Sequence, residues 1–436
     1  MNFIFLLLIC ETVFFFIAFI TTNHDIMAPS VVMCAMFVFS TIFACLNIKK
    51  WKIEMSFETF FILTSGITIY FLTETVFRYL NLTQNHNKRY VNSQISIPTY
   101  KINIFFLGLN LFGSVWLFCE IRKITGNVSS FGEMLHLYRI NNTLSNISDR
   151  QNISIILNQL LKFINAETYV YLYVLVAKLI EKKSWKRLWL TFLVFITSMF
   201  PFVLSGARGA FIQVIVGAVT YYYILFNQKH LWKKNLSWKY IKFGFMVMAI
   251  GIPIFYYSTF WIGRIINLNL IDYISLYIGS SIQLFNLYVE KPTTAPKMFG
   301  EETFNGINRL LQKFGLKENV PSVHLEARWL NSYIKGNTYT FFRPPLHDFG
   351  IWGMYFFTIL VSAFFSILYF GRIKRKCRTP KREKYTLLYG YVFYWIVYSS
   401  IAQISHDIIS MTEFMTMFFI IVIYKFTTRK NGKANK

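Results

Sequence analysis

The sequence has few cysteines and few acidic residues, and each shortage excludes a class of protein. Its five cysteines show neither a disulfide framework nor metal-ligand spacing. It holds 20 Asp and Glu against 45 Lys and Arg, a net charge of +25. In a soluble protein that charge would suggest nucleic-acid binding. Here the basic residues lie in short loops beside long apolar runs, so we expect no nucleic-acid partner.

Motifs for cofactor chemistry are also missing. The sequence has no internal repeat, no Gly-rich phosphate loop and no metal-ligand cluster. The tripeptide at 348–350 matches one kinase motif, but the remaining kinase motifs are absent. We therefore predict neither a metal nor another cofactor.

Apolar residues dominate instead. The chain is 55% hydrophobic and 19% aromatic, with a mean hydropathy of +0.42, and many runs are long enough to cross a bilayer as helices. We predict an all-α, polytopic helical membrane protein with about 11 (10–12) transmembrane helices and one large extracytoplasmic loop. The predicted spans are 3–21, 27–46, 57–77, 102–121, 163–180, 188–204, 210–226, 242–261, 347–370, 386–404 and 408–425.

Basic loops predict the orientation, because they stay on the cytoplasmic side. The loops 371–385, 227–241 and 181–187 and the tail 426–436 are the clearest. Residues 1–261 then hold the N-terminal helices, including an outer hairpin at 205–209. Residues 262–346 form the extracytoplasmic loop, with an interfacial helix near 270–289, and 347–425 hold the C-terminal helices.

The N-terminal half fits this orientation less well. Lys49, Lys50 and Lys52 favour the cytoplasmic side, and so do Arg122 and Lys123. Only one span, 163–180, then separates Arg122 from the cytoplasmic stretch 181–187. Either residues 152–180 bend or re-enter, or one of the first four segments does not cross.

The stretch "VLSGARGAF" carries the first candidate site residue. Gly206 and Gly209 permit a sharp turn, which would hold Arg208 at the outer boundary of the membrane. One interpretation is an arginine that snorkels to lipid phosphates. The other is a fixed guanidinium that binds a phosphorylated substrate through two hydrogen bonds.

The stretch "GNTYTFFRPPLHDFGIWG", at 336–353, carries the second group. Two prolines follow Arg343 and stiffen the chain beside it. His347 is a candidate general base or an interfacial ring. Asp348 is a candidate base or a helix N-cap.

Other polar residues fall on the same predicted side, each of them also explicable as a solvated loop residue. They are Arg264, His324, Glu326, Arg328, His406 and Asp407. Glu11 and Glu413 lie within apolar spans, so each needs a partner.

Three stretches resemble the Wzy-type family of oligosaccharide repeat-unit polymerases, which build O-antigen and capsule. "FVLSGARGAFIQ" resembles the family's arginine hairpin, "YIGSSIQLFN" a segment early in its outer loop, and "GNTYTFFRPPLHDFGIWG" the end of that loop. The spaced "R…G" repeats of some members are not matched, since the next glycine after Gly209 is Gly217.

The resemblance implies a glycosyltransferase of the bacterial cytoplasmic (inner) membrane. It would transfer a polyprenyl-diphosphate-linked oligosaccharide, as donor, to a second such molecule, as acceptor, at the outer leaflet without a metal. Arg208, His347 and Asp348 would be catalytic. The substrate-binding residues would be Arg343, Arg264, Tyr339, Asn337, His324 and His406.

The same resemblance suggests membrane lipid, a chain-length regulator and other glycan-assembly proteins as partners. Several aromatic side chains are candidates to stack on sugars: Trp329, Tyr333, Tyr339, Phe341 and Phe342. The alternatives are an O-antigen ligase, a transporter or flippase for lipid-linked oligosaccharide, and a structural membrane scaffold.

Overall fold

The computed structural model describes residues 2–82, 95–143, 152–206, 208–230, 232, 253, 257, 268–321, 326–331, 334–374, 380–402, 404 and 409–428. Among these residues, eight helices are long and apolar enough to cross a membrane. The only strands of the described part form one short hairpin. The protein is thus an all-α, polytopic membrane protein, as the sequence predicted.

The helices before residue 230 contain most of the long spans. They are α1 (Ile4–Thr21), α2 (Pro29–Leu46), α3 (Ile48–Trp51), α4 (Phe57–Leu82), α5 (Tyr100–Thr125), α6 (Phe131–Thr143), α7 (Ile155–Ile180), α8 (Trp189–Ser198), α9 (Phe200–Leu204) and α10 (Arg208–Lys229). The predicted span 188–204 is divided into α8 and α9. Pro201 lies in the first turn of α9, where its missing N–H costs no hydrogen bond.

The later elements surround the candidate site. They are α11 (Leu270–Glu290), α12 (Asn305–Lys313), β1 (Arg328–Asn331), β2 (Ile334–Gly336), α13 (Arg343–Ser366), α14 (Pro380–Val392), α15 (Tyr394–Val397) and α16 (Met411–Thr428). A π-helical segment, Ile367–Ile373, extends α13. The predicted span 386–404 becomes α14, α15 and a turn. The predicted span 242–261 lies outside the described residues, apart from Pro253 and Tyr257.

Buried polar groups hold the long helices together. Asn110 of α5 donates hydrogen bonds to Glu167 of α7 at 3.0 Å and to Thr197 of α8 at 3.3 Å. Thr168 of α7 donates to Ser198, at the break between α8 and α9, at 2.9 Å. Within lipid such groups pair with one another because no water is present to bind them.

One end of the helix bundle is organised around Asp25, and we call it the Asp25 end. The carboxylate of Asp25 accepts hydrogen bonds from the hydroxyls of Tyr223 and Tyr369, at 2.7 and 2.9 Å. It also pairs with the ammonium of Lys374 at 2.6 Å. The turn after α1, the last part of α10 and the π-helical segment therefore meet at this end.

The opposite end contains Arg208 and Arg343, and we call it the arginine end. Lys50, which follows α2, pairs with Asp272 of α11 at 2.5 Å. Its carbonyl accepts a hydrogen bond from Asn331 of β1 at 2.7 Å. The prediction that put Lys49, Lys50 and Lys52 on the side opposite the 262–346 segment is wrong. Lys49 and Lys50 lie in the last turn of the short helix α3, where the helix dipole stabilises basic side chains.

Arg122 and Lys123 also lie at the arginine end. They occupy the last turn of α5, whose Leu117 and Ile121 share a hydrophobic cluster with Leu204 of α9. The prediction that placed this pair with the cytoplasmic loops is therefore wrong. These charges, too, sit where a helix dipole favours them.

This placement resolves the conflict in the N-terminal half. Helix α7 starts in the same cluster, at Leu157, and runs as one unbroken helix to Ile180. The carbonyl of Ile180 accepts a hydrogen bond from Lys229 at the Asp25 end, at 2.7 Å. A single crossing by α7 thus separates Arg122 from the stretch 181–187. Neither a re-entrant segment nor a missing crossing is required.

Helix α11 lies across the arginine end. Its first turn pairs with Lys50 through Asp272, and Asn286, near its last turn, binds the carbonyl of Glu54 at 3.1 Å. Both contacts are at the same end of the bundle, so α11 does not cross it. Its serines face inward rather than into water: Ser275, Ser280 and Ser281 are all buried.

Candidate active site at the arginine end

The turn that precedes Arg208 has the conformation predicted for Gly206, whereas Gly209 lies within helix α10. Gly206 has a φ of 64°, a backbone region that glycine enters without steric cost. Helix α10 begins two residues later, at Arg208 itself. The side chain therefore leaves a defined turn rather than a long loop.

Two tyrosines of α11 hold the guanidinium of Arg208. Its Nη2 donates a hydrogen bond to the Tyr277 hydroxyl at 3.1 Å. Its Cζ lies 5.9 Å from the Tyr273 ring centre and 5.8 Å from that of Tyr277. Only 8% of Arg208 is exposed. The side chain is thus held by aromatic contacts.

Arg343 has a different environment, because two glutamate side chains contact it. Its Nη2 lies 2.5 Å from Glu326 Oε2 and 3.3 Å from Glu302 Oε1. The rings of Tyr339 and Tyr288 lie 3.9 and 4.5 Å from its Cζ. Arg343 is 0% exposed. In this structure it joins parts of the fold and does not reach solvent.

These contacts belong to a line of alternating charges, Arg328–Glu326–Arg343–Glu302, which we call the charge chain. Arg328 binds Glu326 at 3.0 Å. Its other nitrogens bind the carbonyls of Leu287 and Lys291, at the C-terminal end of α11, where cations are favoured. The charge chain thus joins α11, the hairpin and α13.

The two carboxyl groups of the charge chain titrate differently. Burial raises the pKa of Glu302 to about 8, against the influence of Arg343. Burial acts on Glu326 too, but the positive charges of Arg343 and Arg328 outweigh it and lower the pKa of that carboxyl. Glu326 is therefore the ionised partner of Arg343, and Glu302 holds a proton near neutral pH.

Asp348 fastens another segment to α13. Its carboxylate accepts hydrogen bonds from the backbone N–H groups of Thr303, at 2.6 Å, and Glu302, at 3.2 Å. It binds the turn before α12 rather than the N-terminus of its own helix. Gly350, with a φ of 67°, interrupts α13 two residues later. The proposed role of Asp348 as a base remains a prediction, and its carboxylate already has these partners.

His347 contacts hydroxyl groups on one side of its ring. Its Nδ1 lies 3.2 Å from the Tyr288 hydroxyl and 3.4 Å from Thr293 Oγ1. The side chain is half-buried. A histidine held through one nitrogen can exchange a proton at the other.

The remaining predicted site residues divide into two groups. Tyr339 is buried, and its hydroxyl donates to the carbonyl of Glu326 at 2.8 Å. Burial raises the pKa of Tyr339 to about 12. Asn337 lies just before it in the same non-helical segment. The other predicted residues lie outside the described residues: Arg264, His324 and His406.

The structure brings four predicted residues together: Arg343, His347, Asp348 and Tyr339. Arg208 is separate, because it contacts α11 about three turns before Tyr288. Of the aromatic candidates for sugar stacking, Trp329 is 56% exposed, whereas three are buried: Tyr339, Phe341 and Phe342. Tyr333 lies outside the described residues.

Sequence reasoning missed the α11 tyrosines, Thr293 and Glu302. Tyr273, Tyr277 and Tyr288 are spaced so that one helix face carries all three, and that pattern was a usable signal. Nothing in the sequence marks Glu302, whose environment comes from segments distant along the chain.

Within the described ranges, no group of three or more His, Cys, Asp or Glu residues is placed to hold a metal ion. Comparison with known proteins finds no matching family model, no matching curated protein and no matching solved structure.

Proposed function

We propose that the protein is a membrane glycosyltransferase that polymerises polyprenyl-diphosphate-linked oligosaccharide repeat units. It would act at the outer leaflet of the bacterial cytoplasmic membrane, with one such molecule as donor and another as acceptor. A chain-length regulator and other glycan-assembly proteins would be its partners. The sequence resemblance supports this assignment, and the arrangement at the arginine end agrees with it.

One observation carries the proposal. The guanidinium of Arg208 is fixed by two tyrosine rings beside a sharp turn. A fixed cation of this kind suits the terminal oxygens of a diphosphate. Arg343 is less suited to that role, because the Glu326 carboxylate pairs with it and the Glu302 carboxyl group and two rings also surround it.

The reaction requires only charge stabilisation and one proton transfer. The acceptor hydroxyl oxygen forms a bond to the anomeric carbon of the donor. The bond from that carbon to the phosphate oxygen breaks, and the diphosphate leaves with the electron pair. Arg208 stabilises the charge that develops on this oxygen. His347 takes the hydroxyl proton as the new bond forms.

The test is chain extension by the purified protein in detergent, supplied with lipid-linked repeat units from cells that lack the polymerase. We expect Arg208→Ala to lower the rate by about 100-fold or more, the usual effect of removing a group that stabilises transition-state charge. Arg122→Ala is the matched control, since Arg122 is exposed at the same end.

Two outcomes would contradict the proposal. One is normal extension by Arg208→Ala. The other is inactivity of the wild-type protein in detergent together with movement of lipid-linked repeats across vesicles, which would indicate a transporter. Transfer to a lipid acceptor that carries no repeat unit would indicate the ligase.

A further inference from the structure

We propose that Tyr288 is a positioning residue that holds the imidazole of His347 through Nδ1 and directs Nε2 toward the acceptor hydroxyl. This inference rests on the proposed function for the identity of the acceptor. The positioning itself is a property of the fold and can be tested separately.

The contacts of His347 are one-sided. The Tyr288 hydroxyl, from α11, lies 3.2 Å from Nδ1, and Thr293 Oγ1, from the segment after α11, lies 3.4 Å from the same atom. The Tyr288 and His347 rings meet edge to face, with centres 6.3 Å apart. Within the described part of the chain we find no hydrogen bond to Nε2.

Tyr288 is itself held firmly, so it can fix another side chain. It is 4% exposed. One guanidinium, that of Arg343, lies 4.5 Å from its ring centre and another, that of Arg328, lies at 5.7 Å. The Tyr339 ring packs edge to face against it, with centres 6.3 Å apart. The charge chain thus restrains the phenol that contacts His347.

The phenol keeps its proton at physiological pH. Burial raises the pKa of Tyr288 well above its ordinary value, although Arg343 acts in the opposite direction. A protonated phenol can donate to Nδ1 or accept from Nδ1–H, and we assign it the second role here. That tautomer leaves the lone pair on Nε2, the nitrogen available to a substrate.

The proton balance of the step is simple. The acceptor hydroxyl loses its proton to Nε2 as its oxygen bonds to the anomeric carbon, and the ring becomes imidazolium. The imidazolium then returns the proton to water. Four charged groups act on His347 during this cycle: Asp348, Arg343, Glu301 and Glu326. The neutral hydroxyls of Tyr288 and Thr293 orient the imidazole ring, and charged groups of both signs surround it.

Tyr288 also relates His347 to Arg208. It shares one face of α11 with Tyr277, the residue that binds Arg208. A single rigid helix thereby sets the separation between the proposed cation and the proposed base. This gives α11 a role in the geometry of the site as well as in the packing of the bundle.

The experiment is ¹⁵N NMR of the full-length protein in detergent, labelled at histidine. His347→Asn identifies the His347 signals. In the wild type we expect one tautomer, with the proton on Nδ1. Tyr288→Phe keeps the ring packing and removes the hydroxyl, so both nitrogen signals of His347 should move toward a mixture of tautomers. Thr293→Val should cause a smaller change in the same direction.

Tyr355→Phe is the matched control. Tyr355 lies on the helix that carries His347, but its hydroxyl binds Ser65 at 2.8 Å, so the His347 signals should not change. Unchanged His347 signals in Tyr288→Phe, or a wild-type proton on Nε2, would overturn the positioning. Failure of the proposed function would instead appear as a wild-type protein that extends no chains.

In the extension assay, Tyr288→Phe should lower kcat about tenfold and leave KM nearly unchanged, because it removes the orientation of a base and no substrate contact. An equal loss in Tyr288→Phe and Tyr355→Phe would indicate a general effect on folding and would contradict the inference.

Discussion

Tyr277 and Tyr288 lie on one face of α11, about three turns apart, and each contacts a different predicted site residue. Tyr277 accepts a hydrogen bond from Arg208, and Tyr288 contacts both Arg343 and His347. Helix α11, which lies across the arginine end, therefore positions two stretches that are distant in sequence, one with Arg208 and one with Arg343 and His347.

Removing Arg343 should damage the fold rather than the chemistry alone. Arg343→Ala removes the buried cation that pairs with the ionised Glu326, and loss of one partner of a buried ion pair costs about 3–5 kcal/mol. We expect little protein in the membrane, measured by quantitative immunoblot. Arg208→Ala, which removes contacts with the neutral rings of Tyr273 and Tyr277, should accumulate normally.

A second variant separates folding from chemistry at Arg343. Arg343→Met combined with Glu326→Gln removes both charges of the ion pair and should restore accumulation. Normal amounts of Arg343→Ala alone would show that the charge chain does not stabilise the protein.

The stability of the protein should depend on pH through the protonation of Glu302. Its pKa rises from 4.5 to about 8 in the folded protein, so the folded state binds this proton more tightly than the unfolded chain. The stabilisation from this group is complete below about pH 4.5 and is lost as the pH rises through about 8.

Glu302→Gln should therefore reduce the decline of Tm between pH 5 and pH 9, measured in detergent by thermal denaturation. Glu301→Gln is the control, because Glu301 is its sequence neighbour and is less buried. If the Tm of Glu302→Gln falls as much as that of the wild type, the pH dependence comes from another group.

Cysteine labelling can test the positions of the basic clusters. In a cysteine-free background, cysteines at positions 50 and 122 should react with an impermeant maleimide from the same side of the membrane. A cysteine at 186 should react only from the other side, because a single crossing by α7 separates the two ends. All three positions are exposed. If a cysteine at position 50 or 122 reacted from the same side of the membrane as the cysteine at 186, the arrangement of α1–α7 would be contradicted.

The docking of α11 on α2 depends on Gly279. A Cβ atom there would lie 2.7 Å from the backbone nitrogen of Ala44 and 2.8 Å from the carbonyl carbon of Phe43. Gly279→Ala should therefore cost about 1–3 kcal/mol, seen as a lower Tm. Gly108→Ala is the control, since no atom lies within 4 Å of its Cβ position. Equal Tm values for the two variants would show that α11 is not packed closely on α2.

Part of the candidate site was readable from the sequence. Gly206 predicted the turn before Arg208, because few residues other than glycine adopt a positive φ. The stretch 336–353 predicted a cluster containing His347 and Asp348. The environment of Arg343 was not predictable, because its partners Glu302 and Glu326 are brought to it by folding of the intervening chain.

The sequence by itself determined that this is a helical membrane protein, because long apolar runs must satisfy their backbone hydrogen bonds internally within lipid. It did not determine to which end of the bundle the lysines and arginines of the N-terminal half belong. A cluster of basic residues can mark the cytoplasmic side of a membrane protein or stabilise the C-terminal end of a helix. Only the pairing of Lys50 with Asp272 and the course of α7 show which explanation applies here. The tertiary structure also decided that Arg343 is buried and paired with Glu326, because burial and ion pairing depend on contacts between distant segments.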